Sequence, residues 1–256
     1  MPLISLKPDL ISPYIHANLV VVIPIYNEAE TIEGVVDEWR TTFKKLHIDH
    51  QFLLINDGSK DNTIDVLQRM EAVDPEHVII VDKSNAGHGR TCRTGYSAAT
   101  ESDVLEWVLQ IDSDGQCDPS YFEEFWNKRQ SADCVFGQRI QRDDGLVRAI
   151  TSKICKYGAT LLGGRDMVDP NVPYRLLRKE VLAAALSKIP ASFDIHNVAL
   201  TFILKQNPGL RWAYVPIRFR TRQGGSNSIN LLHVTHLGVS MLFDLAKLKN
   251  EKLRIP

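Results

Sequence analysis

The sequence predicts an α/β fold in which a doubly wound, mostly parallel sheet carries helices on both faces. Short apolar stretches of strand length alternate with amphipathic stretches of helix length, which is the pattern of βαβ units. The stretch 19–25, Leu-Val-Val-Val-Ile-Pro-Ile, is apolar at every position, as expected for a central strand covered on both faces. Polar residues follow the first four predicted strands, where ligands of such sheets bind.

Local signals justify each element in turn. Stretches 52–55 and 77–81 are short apolar runs, whereas 29–46 places its apolar residues on one helical stripe. Asp118 followed by Pro119 is typical of an N-cap and a first helical position. In chain order we expect an irregular lead-in 1–18, strand 19–25, helix 29–46, strand 52–55, helix 63–73, strand 77–81, helix 90–100, strand 106–111, helix 119–130, strand 134–137, helix 146–162, a loop 169–178 entering another helix, helix 193–205, strand 212–220 and helix 230–249.

The composition is that of a domain with an ordinary core. The 256 residues are 44% hydrophobic and 24% charged, and the longest apolar run, 19–25, is far shorter than the roughly 20 residues of a spanning helix. No N-terminal signal segment is visible. The four cysteines lack zinc-ligand spacing, so we expect reduced thiols and a cytoplasmic location.

The charge is divided between the two halves of the chain. Residues 1–130 carry 11 basic and 22 acidic side chains, a net of -11, and residues 131–256 carry 19 and 9, a net of +10. A basic half of this kind indicates an anionic partner, such as nucleic acid, lipid phosphate or a membrane surface. The alternative is two solvated faces of opposite sign.

The acidic segment Asp112-Ser113-Asp114-Gly115 follows the predicted strand 106–111. Both carboxylates can face one cation, and such hard oxygen ligands suit Mg²⁺ or Mn²⁺ holding a diphosphate. The same residues also suit an ordinary Asx-turn at a strand end. An EF-hand calcium loop is disfavoured because Gly115 stands too close to Asp112.

Three other strand ends are polar as well, and together with the acidic segment they predict a site for a nucleotide and its metal ion. They are Tyr26-Asn27-Glu28, Asp57-Gly58-Ser59 and the stretch from Lys83 through Gly87 to Gly89. The glycines do not form a G-x-G-x-x-G fingerprint, and no Walker lysine motif is present. A dinucleotide oxidoreductase or a P-loop ATPase is therefore disfavoured.

In order and spacing, these motifs resemble those of the family 2 glycosyltransferases of GT-A fold, a Rossmann-like fold, and most closely the dolichyl- and polyprenyl-phosphate sugar transferases. The matching segments are 23–28, 56–59 with Asp61 and Thr63, 85–89, 112–116, 135–139, Asp169 with Arg175, and 222–228. The resemblance implies a glycosyltransferase domain at 19–230, with a nucleotide-sugar and metal half at 19–130, an acceptor half at 131–230, and a C-terminal amphipathic helix at 231–256.

The resemblance also implies roles for individual residues. Pro24, Tyr26, Glu28 and Asp57 would hold the base and ribose, Asp112, Asp114 and Gln116 the metal ion, and Lys83 and Gly87 would also belong to the donor site. Arg139 and Arg148 would reach the acceptor phosphate, Asp169 and Arg175 would belong to the catalytic set, and Arg222 and Ser226 would close over the diphosphate.

Two departures from the family pattern bear on the acceptor. Pro173-Tyr174-Arg175 stands where relatives often have Gly-Phe-Arg. The membrane helices of many relatives are replaced by 231–249, which is interrupted by His233, His236, Asp244 and Lys247. We therefore expect peripheral attachment to an anionic membrane surface, and leave open a membrane-protein partner.

The expected activity is inverting transfer of a sugar from a GDP- or UDP-sugar to a polyprenyl phosphate at the cytoplasmic membrane face, with no nucleic-acid partner. Arg139, Arg142 and Arg148 favour a phosphate acceptor. The alternatives are transfer to a glycan hydroxyl, which needs a base such as Asp169 or Asp194, and a nucleotide-sugar binding protein without turnover.

Overall fold

A seven-stranded sheet organises the protein in the computed structural model, which describes residues 11–140, 168–190, 193, 196–221 and 248. The strands are β1 (Leu19–Ile25), β2 (His50–Asp57), β3 (Val78–Lys83), β4 (Trp107–Gln110), β5 (Cys134–Arg139), β6 (Arg175–Arg178) and β7 (Trp212–Ile217). The described helices are α1 (Ile32–Lys45), α2 (Thr63–Val73), α3 (His88–Thr100), α4 (Phe122–Lys128), α5 (Lys179–Leu186) and α6 (His196–Lys205), with 3₁₀ turns at Ser12–Tyr14 and Pro119–Tyr121.

The strand order is β3-β2-β1-β4-β6-β5-β7. All neighbouring pairs are parallel except those of β6, which runs antiparallel to both β4 and β5. The predicted doubly wound, mostly parallel sheet is thus confirmed. The loop expected at 169–178 is wrong over its last four residues, because Leu176 and Leu177 are buried in β6 while arginines at both ends mask the apolar pattern.

The sheet has its topological switch point between β1 and β4. From β1 the chain moves outward through β2 to β3, then crosses back over α3 to β4 on the other side of β1. The ladder between these strands ends where the Ile111 amide donates to the Val22 carbonyl. Backbone groups in a strand point to the two neighbouring strands in alternation, so Pro24, two residues after Val22, has its backbone nitrogen on the β4 side. Proline has no N–H to donate there. Sheets of this kind bind ligands outside the carboxyl ends of the strands at the switch point, and we call that region beside β1 and β4 the crevice.

Both faces of the sheet are covered by closely packed elements. On one face α3 lies so near the strands that a Cβ added to Gly95 would stand 2.4 Å from Cγ1 of Val22. Elsewhere an aromatic cluster joins Trp39 and Phe43 of α1 to Phe122 and Tyr174, with ring centroids 5.0–5.6 Å apart. The close approach of α3 to β1 at Gly95 holds the first turn of that helix near the carboxyl ends of the strands.

Element boundaries differ from expectation mainly at the starts of helices. Helix α1 begins at Ile32 rather than 29, after a turn in which the Glu28 carbonyl accepts from the amides of Thr31 and Ile32. Asp118 is confirmed as an N-cap, since its side chain accepts from the Ser120 amide, but the helix it begins is a 3₁₀ turn followed by α4. The helices predicted at 146–162 and 230–249 lie outside the described residues. Among the residues that are described, none of the helices is long and apolar enough to cross a membrane.

Candidate active site

The acidic segment lies at the end of β4, beside the crevice. The side chain of Asp112 is 28% exposed. Asp114 is buried, with 9% of the residue's surface exposed. Gly115 adopts a positive φ of 75°, and the Gln116 amide donates to Oδ1 of Asp114 at 3.1 Å. The geometry expected of an Asx-turn is therefore present at Asp114, and it supports the tight reversal that brings Asp112 and Asp114 close enough to interact.

The surroundings of Asp112 act on its charge in both directions. Loss of hydration raises the pKa of Asp112, and the neighbouring Asp114 adds to the rise. The side chains of His88, Arg175 and Gln110 act in the opposite direction and favour the ionised form. The cost of desolvating the Asp112 carboxylate is thus only partly offset by these neighbours.

This donor set fits a hard divalent cation. A cation beside Asp112 and Asp114 would relieve their repulsion, and carboxylate oxygens are the ligands that Mg²⁺ and Mn²⁺ prefer. Within the described ranges, no group of three or more His, Cys, Asp or Glu side chains is placed to hold a metal ion. The two acids therefore suit an ion that takes its remaining ligands from substrate phosphate and water, as Mg²⁺ commonly does.

Gln116, the third predicted metal ligand, is tied to the segment that follows β7. Its Nε2 donates to the Arg220 carbonyl at 3.3 Å, and the Arg220 amide donates to the Gln116 carbonyl at 3.1 Å. The Arg220 guanidinium in turn bonds Glu38 and Asp118. A metal-ligand role for Gln116 stays a prediction, whereas its part in fixing the acidic segment is visible.

His88 is a site residue that the sequence analysis missed. It is the first residue of α3, and its Nε2 lies 3.7 Å from Oδ1 of Asp112 and 3.5 Å from Sγ of Cys92. The Cys92 sulfur and the Asp112 carboxylate raise the pKa of the imidazole. An imidazole whose protonated form Asp112 favours therefore stands at the N-terminus of a 13-residue helix, where the helix dipole favours anions. Only the placement of α3 beside β4 reveals the contact.

Asp57 organises the loop between β3 and α3. Its carboxylate accepts hydrogen bonds from the amides of Ala86 and Gly87, both at 2.9 Å, and pairs with the Lys83 ammonium. Gly58 has a φ of 63° at a point where an added Cβ would stand 2.7 Å from the Asn85 amide nitrogen. Lys83 and Gly87 thus contact Asp57, with the Lys83 ammonium pairing with that acid, and their roles in donor binding stay predictions.

The end of β1 is joined to the loop after β2. Asn27, with a φ of 54°, accepts from the Lys60 amide at 2.7 Å, and its own amide donates to Oγ of Ser59. Glu28 is buried, and its Oε2 accepts from the Thr31 hydroxyl at 2.6 Å. Of the four residues predicted to hold the base and ribose, Pro24, Glu28 and Asp57 are therefore buried, and Tyr26 is exposed at 42%.

Two further predicted residues are paired with each other. Nε and Nη2 of Arg139, at the end of β5, donate to the two carboxylate oxygens of Asp169, both at 2.5 Å. The side chains are 18% and 5% exposed. Asp169 also holds a positive φ of 45°, which is uncommon for a residue other than glycine. An acid predicted as a base and an arginine predicted to bind phosphate thus form a single unit.

Arg175 lies below the site and has no exposed surface. Its guanidinium donates to the carbonyls of Val172 and Asn197, and its charge favours ionised Asp112 from within the protein. Arg175 therefore acts on Asp112 from the protein interior, and its membership of the catalytic set stays a prediction. The predicted residues Arg148, Asp194, Arg222 and Ser226 lie outside the described residues.

Curated relatives match most of the length of this chain. An undecaprenyl-phosphate 4-deoxy-4-formamido-L-arabinose transferase of Proteus mirabilis (strain HI4320) is 26% identical over 227 residues, covering 88% of this chain and 65% of the relative. A transferase of the same name from Photorhabdus laumondii is 28% identical over 187 residues, 72% of this chain and 56% of the relative. This chain thus spans less than two thirds of the length of these relatives.

Solved structures show the same fold at low sequence identity. Mannosyl-3-phosphoglycerate synthase from Rubrobacter xylanophilus has a TM-score of 0.59 at 16% identity, covering 94% of this chain and 76% of that one. Glucosyl-3-phosphoglycerate synthase from Mycobacterium tuberculosis, in complex with Mn²⁺, UDP-glucose and phosphoglyceric acid, has a TM-score of 0.57 at 15% identity, covering 96% and 85%. The model of the family described as glycosyl transferase family 2 matches residues 20–185, more than half of the sequence, and the chain therefore belongs to that family.

Proposed function

We propose that this chain transfers one sugar, with inversion, from a nucleoside diphosphate sugar to a polyprenyl phosphate, with Mg²⁺ or Mn²⁺ as cofactor. The observation that carries the proposal is the position of Asp112 and Asp114 beside the crevice between β1 and β4, next to the first turn of α3. The relatives named as undecaprenyl-phosphate sugar transferases support the acceptor class. The solved neighbour with Mn²⁺ and UDP-glucose supports the donor and metal classes.

The residues beside the crevice would bind and orient the donor. Asp112 and Asp114 would hold the metal ion, which when bound offsets the charge that develops on the leaving diphosphate. The imidazole of His88 and the amides in the first turn of α3 would face the same diphosphate. Tyr26 and the loop held by Asp57 would contact the nucleoside, whose base we leave as uracil or guanine.

A phosphate acceptor requires little from the protein besides positioning. The second pKa of a phosphate monoester is near 6, so the nucleophile is largely ionised at pH 7 and needs no general base. A glycan hydroxyl would need one, yet both oxygens of Asp169 accept hydrogen bonds from Arg139. This pairing favours the phosphate acceptor over the hydroxyl.

Attachment at the cytoplasmic membrane face is part of the proposal. The net charge of +10 on residues 131–256 would draw the chain to anionic lipid, where a polyprenyl phosphate is available. A membrane-protein partner would serve the same purpose. A nucleotide-sugar binding protein without turnover is less favoured, because it would not need both Asp112 and Asp114.

Acceptor kinetics of three variants test the proposal, with polyprenyl phosphate supplied in detergent. Arg148→Ala should lower kcat/KM for the acceptor about 10 to 100 fold, because a charge-assisted hydrogen bond is worth roughly 1.5–3 kcal/mol. Asp169→Asn and Asp194→Asn should keep measurable turnover, since an ionised phosphate gives up no proton. The matched control is Arg211→Ala, an exposed arginine whose side chain pairs with Asp133.

The opposite pattern would remove the phosphate acceptor from the proposal. If one of the two aspartate variants is inactive although its melting curve shows it folded, while Arg148→Ala behaves like the control, the acceptor is a hydroxyl. The melting curve is required because Asp169→Asn also removes one partner of the buried pair with Arg139. A thermal-shift panel of UDP, GDP and dTDP sugars with Mn²⁺ identifies the donor beforehand, because a ligand that binds the folded state raises its stability.

A further inference from the structure

Gln110, the last residue of β4, joins the acidic segment to the protein interior. The residue is fully buried. Its Nε2 donates to Oδ1 of Asp112 at 3.1 Å, and its Oε1 accepts from the hydroxyl of Tyr96 at 3.4 Å. The bond to Asp112 selects this orientation of the amide, because in the reversed one Oε1 would face a carboxylate that can only accept.

The contacts continue away from the crevice through other elements. Oη of Tyr96, on α3, also lies 3.5 Å from the side-chain amide of Asn197, on α6. The nearest atom of that amide is Oδ1, and since Tyr96 has one proton to donate, it donates to Gln110 or to Asn197 at any one time. Arg175 of β6 donates to the Asn197 carbonyl at 3.3 Å. We call Gln110, Tyr96, Asn197 and Arg175 the buried polar chain.

The buried polar chain is an expensive way to fill this space. Burial of polar and charged groups costs free energy that hydrogen bonds largely offset, and apolar residues of similar volume are often as stable. All four members are 3% exposed or less. The members of the buried polar chain nevertheless lie on four different elements, and the one nearest the site, Gln110, binds one oxygen of Asp112. Asp112 is the more exposed of the two acids.

We propose that Gln110 is a positioning residue that fixes the carboxylate of Asp112 toward the crevice, so that it is oriented before the metal ion binds. The inference rests on the proposed function, because the ion is the one expected at Asp112 and Asp114. An untethered carboxylate would lose rotational freedom on binding, whereas the bond to Gln110 has already restricted it. Partners of metal ligands that act in this way are typically worth 10 to 100 fold in metal affinity.

The test compares Gln110→Met with a matched control, Gln51→Met. Gln51 is 1% exposed and lies near the amino end of β2, away from the crevice. It accepts from the His16 backbone amide and donates to the Glu76 backbone carbonyl. Mn²⁺ binding is followed by the loss of the free-ion electron paramagnetic resonance signal, at saturating concentration of the nucleoside diphosphate that stabilises the wild type most. Melting temperature is measured in parallel.

We expect Gln110→Met to raise the Kd for Mn²⁺ about 10 to 100 fold. Gln51→Met should lower the melting temperature and leave that Kd unchanged. In turnover assays, high Mn²⁺ concentration should restore the kcat of Gln110→Met, a rescue that a general packing defect would not permit. Tyr96→Phe, which keeps the donor of Gln110 but removes its partner, should raise the Kd by less.

Equal Mn²⁺ affinity of Gln110→Met and the wild type would overturn the inference and leave the proposed function intact. If Gln110→Met does not fold, unchanged affinity of Tyr96→Phe would overturn it instead. A wild type that binds no Mn²⁺ beside any nucleoside diphosphate would overturn the proposed metal site as well, so the two failures are distinguishable.

Discussion

Replacing Asp57 by asparagine should cost both stability and nucleotide binding. The side chain is 4% exposed, pairs with the Lys83 ammonium, and accepts from the amides of Ala86 and Gly87. Removing one partner of a buried ion pair typically costs 3–5 kcal/mol, because the other charge stays buried. Lys83 is 20% exposed and asparagine keeps one acceptor oxygen, so we expect the lower end, about 3 kcal/mol.

The assay combines urea unfolding with nucleotide titration. A decrease of about 3 kcal/mol in the free energy of unfolding should lower Tm by roughly 6–12 °C in a chain of this size. Affinity for the nucleoside diphosphate should fall about tenfold or more, equally in Mn²⁺ and in EDTA, because Asp57 is expected to bind the base and not the cation. Asp37→Asn is the control: that side chain is 61% exposed in its pair with Arg40, and its replacement should change stability by less than about 0.5 kcal/mol.

Two outcomes would refute this reasoning. If Asp57→Asn unfolds at the same urea concentration as the wild type, the ion pair does not stabilise the loop before α3. If stability falls but nucleotide affinity is unchanged in both buffers, Asp57 is a structural residue and does not belong to the base site.

Three further predictions concern metal, acid and membrane. Asp114→Asn should abolish turnover and the metal dependence of nucleotide binding, and metal-stimulated activity in that variant would leave the segment as an Asx-turn alone. The hydrogen bonds from Arg211 lower the pKa of Asp133 below 3.8, so the stability they contribute is present above that pH and is lost as pH falls through the lowered value. Asp133→Asn should therefore melt below the wild type at pH 7, and the two melting curves should converge in acid; a constant gap would contradict this. The chain should also pellet with anionic liposomes at low salt and be released at high salt, from attraction worth about 1 kcal/mol per basic residue near the surface. Absence from the pellet at low salt would count against a lipid acceptor.

Much of the fold followed from local sequence patterns. The apolar strand β1 and helix α2 end where expected, since their periodicity is clear and turn residues flank them. Strand β6 did not follow, because four residues with arginine at both ends carry little periodicity, and the neighbours β4 and β5 supply the reason for the strand. Local pattern decides an element only when the element is long enough to display it.

The candidate site divides along the same line. Asp112 and Asp114 could be predicted because both stand in one short segment. The contacts of His88 and Gln110 with Asp112 could not, since one depends on how α3 lies against β4 and the other on which way a buried amide points. The Arg139–Asp169 pair likewise joins residues 30 positions apart, which no motif spacing connects.

Pro24 limits how far the hydrogen-bond ladder between β1 and β4 can extend. Strands that pair in parallel tend to continue pairing while donors and acceptors remain, and the ladder from Leu19 to Val22 already runs toward the acidic segment. A residue with an N–H at position 24 could donate to the Ile111 carbonyl and extend β4, which would draw Asp112 into the ladder. Because proline cannot donate this hydrogen bond, the β1–β4 ladder stops before the acidic segment whether or not a ligand is bound.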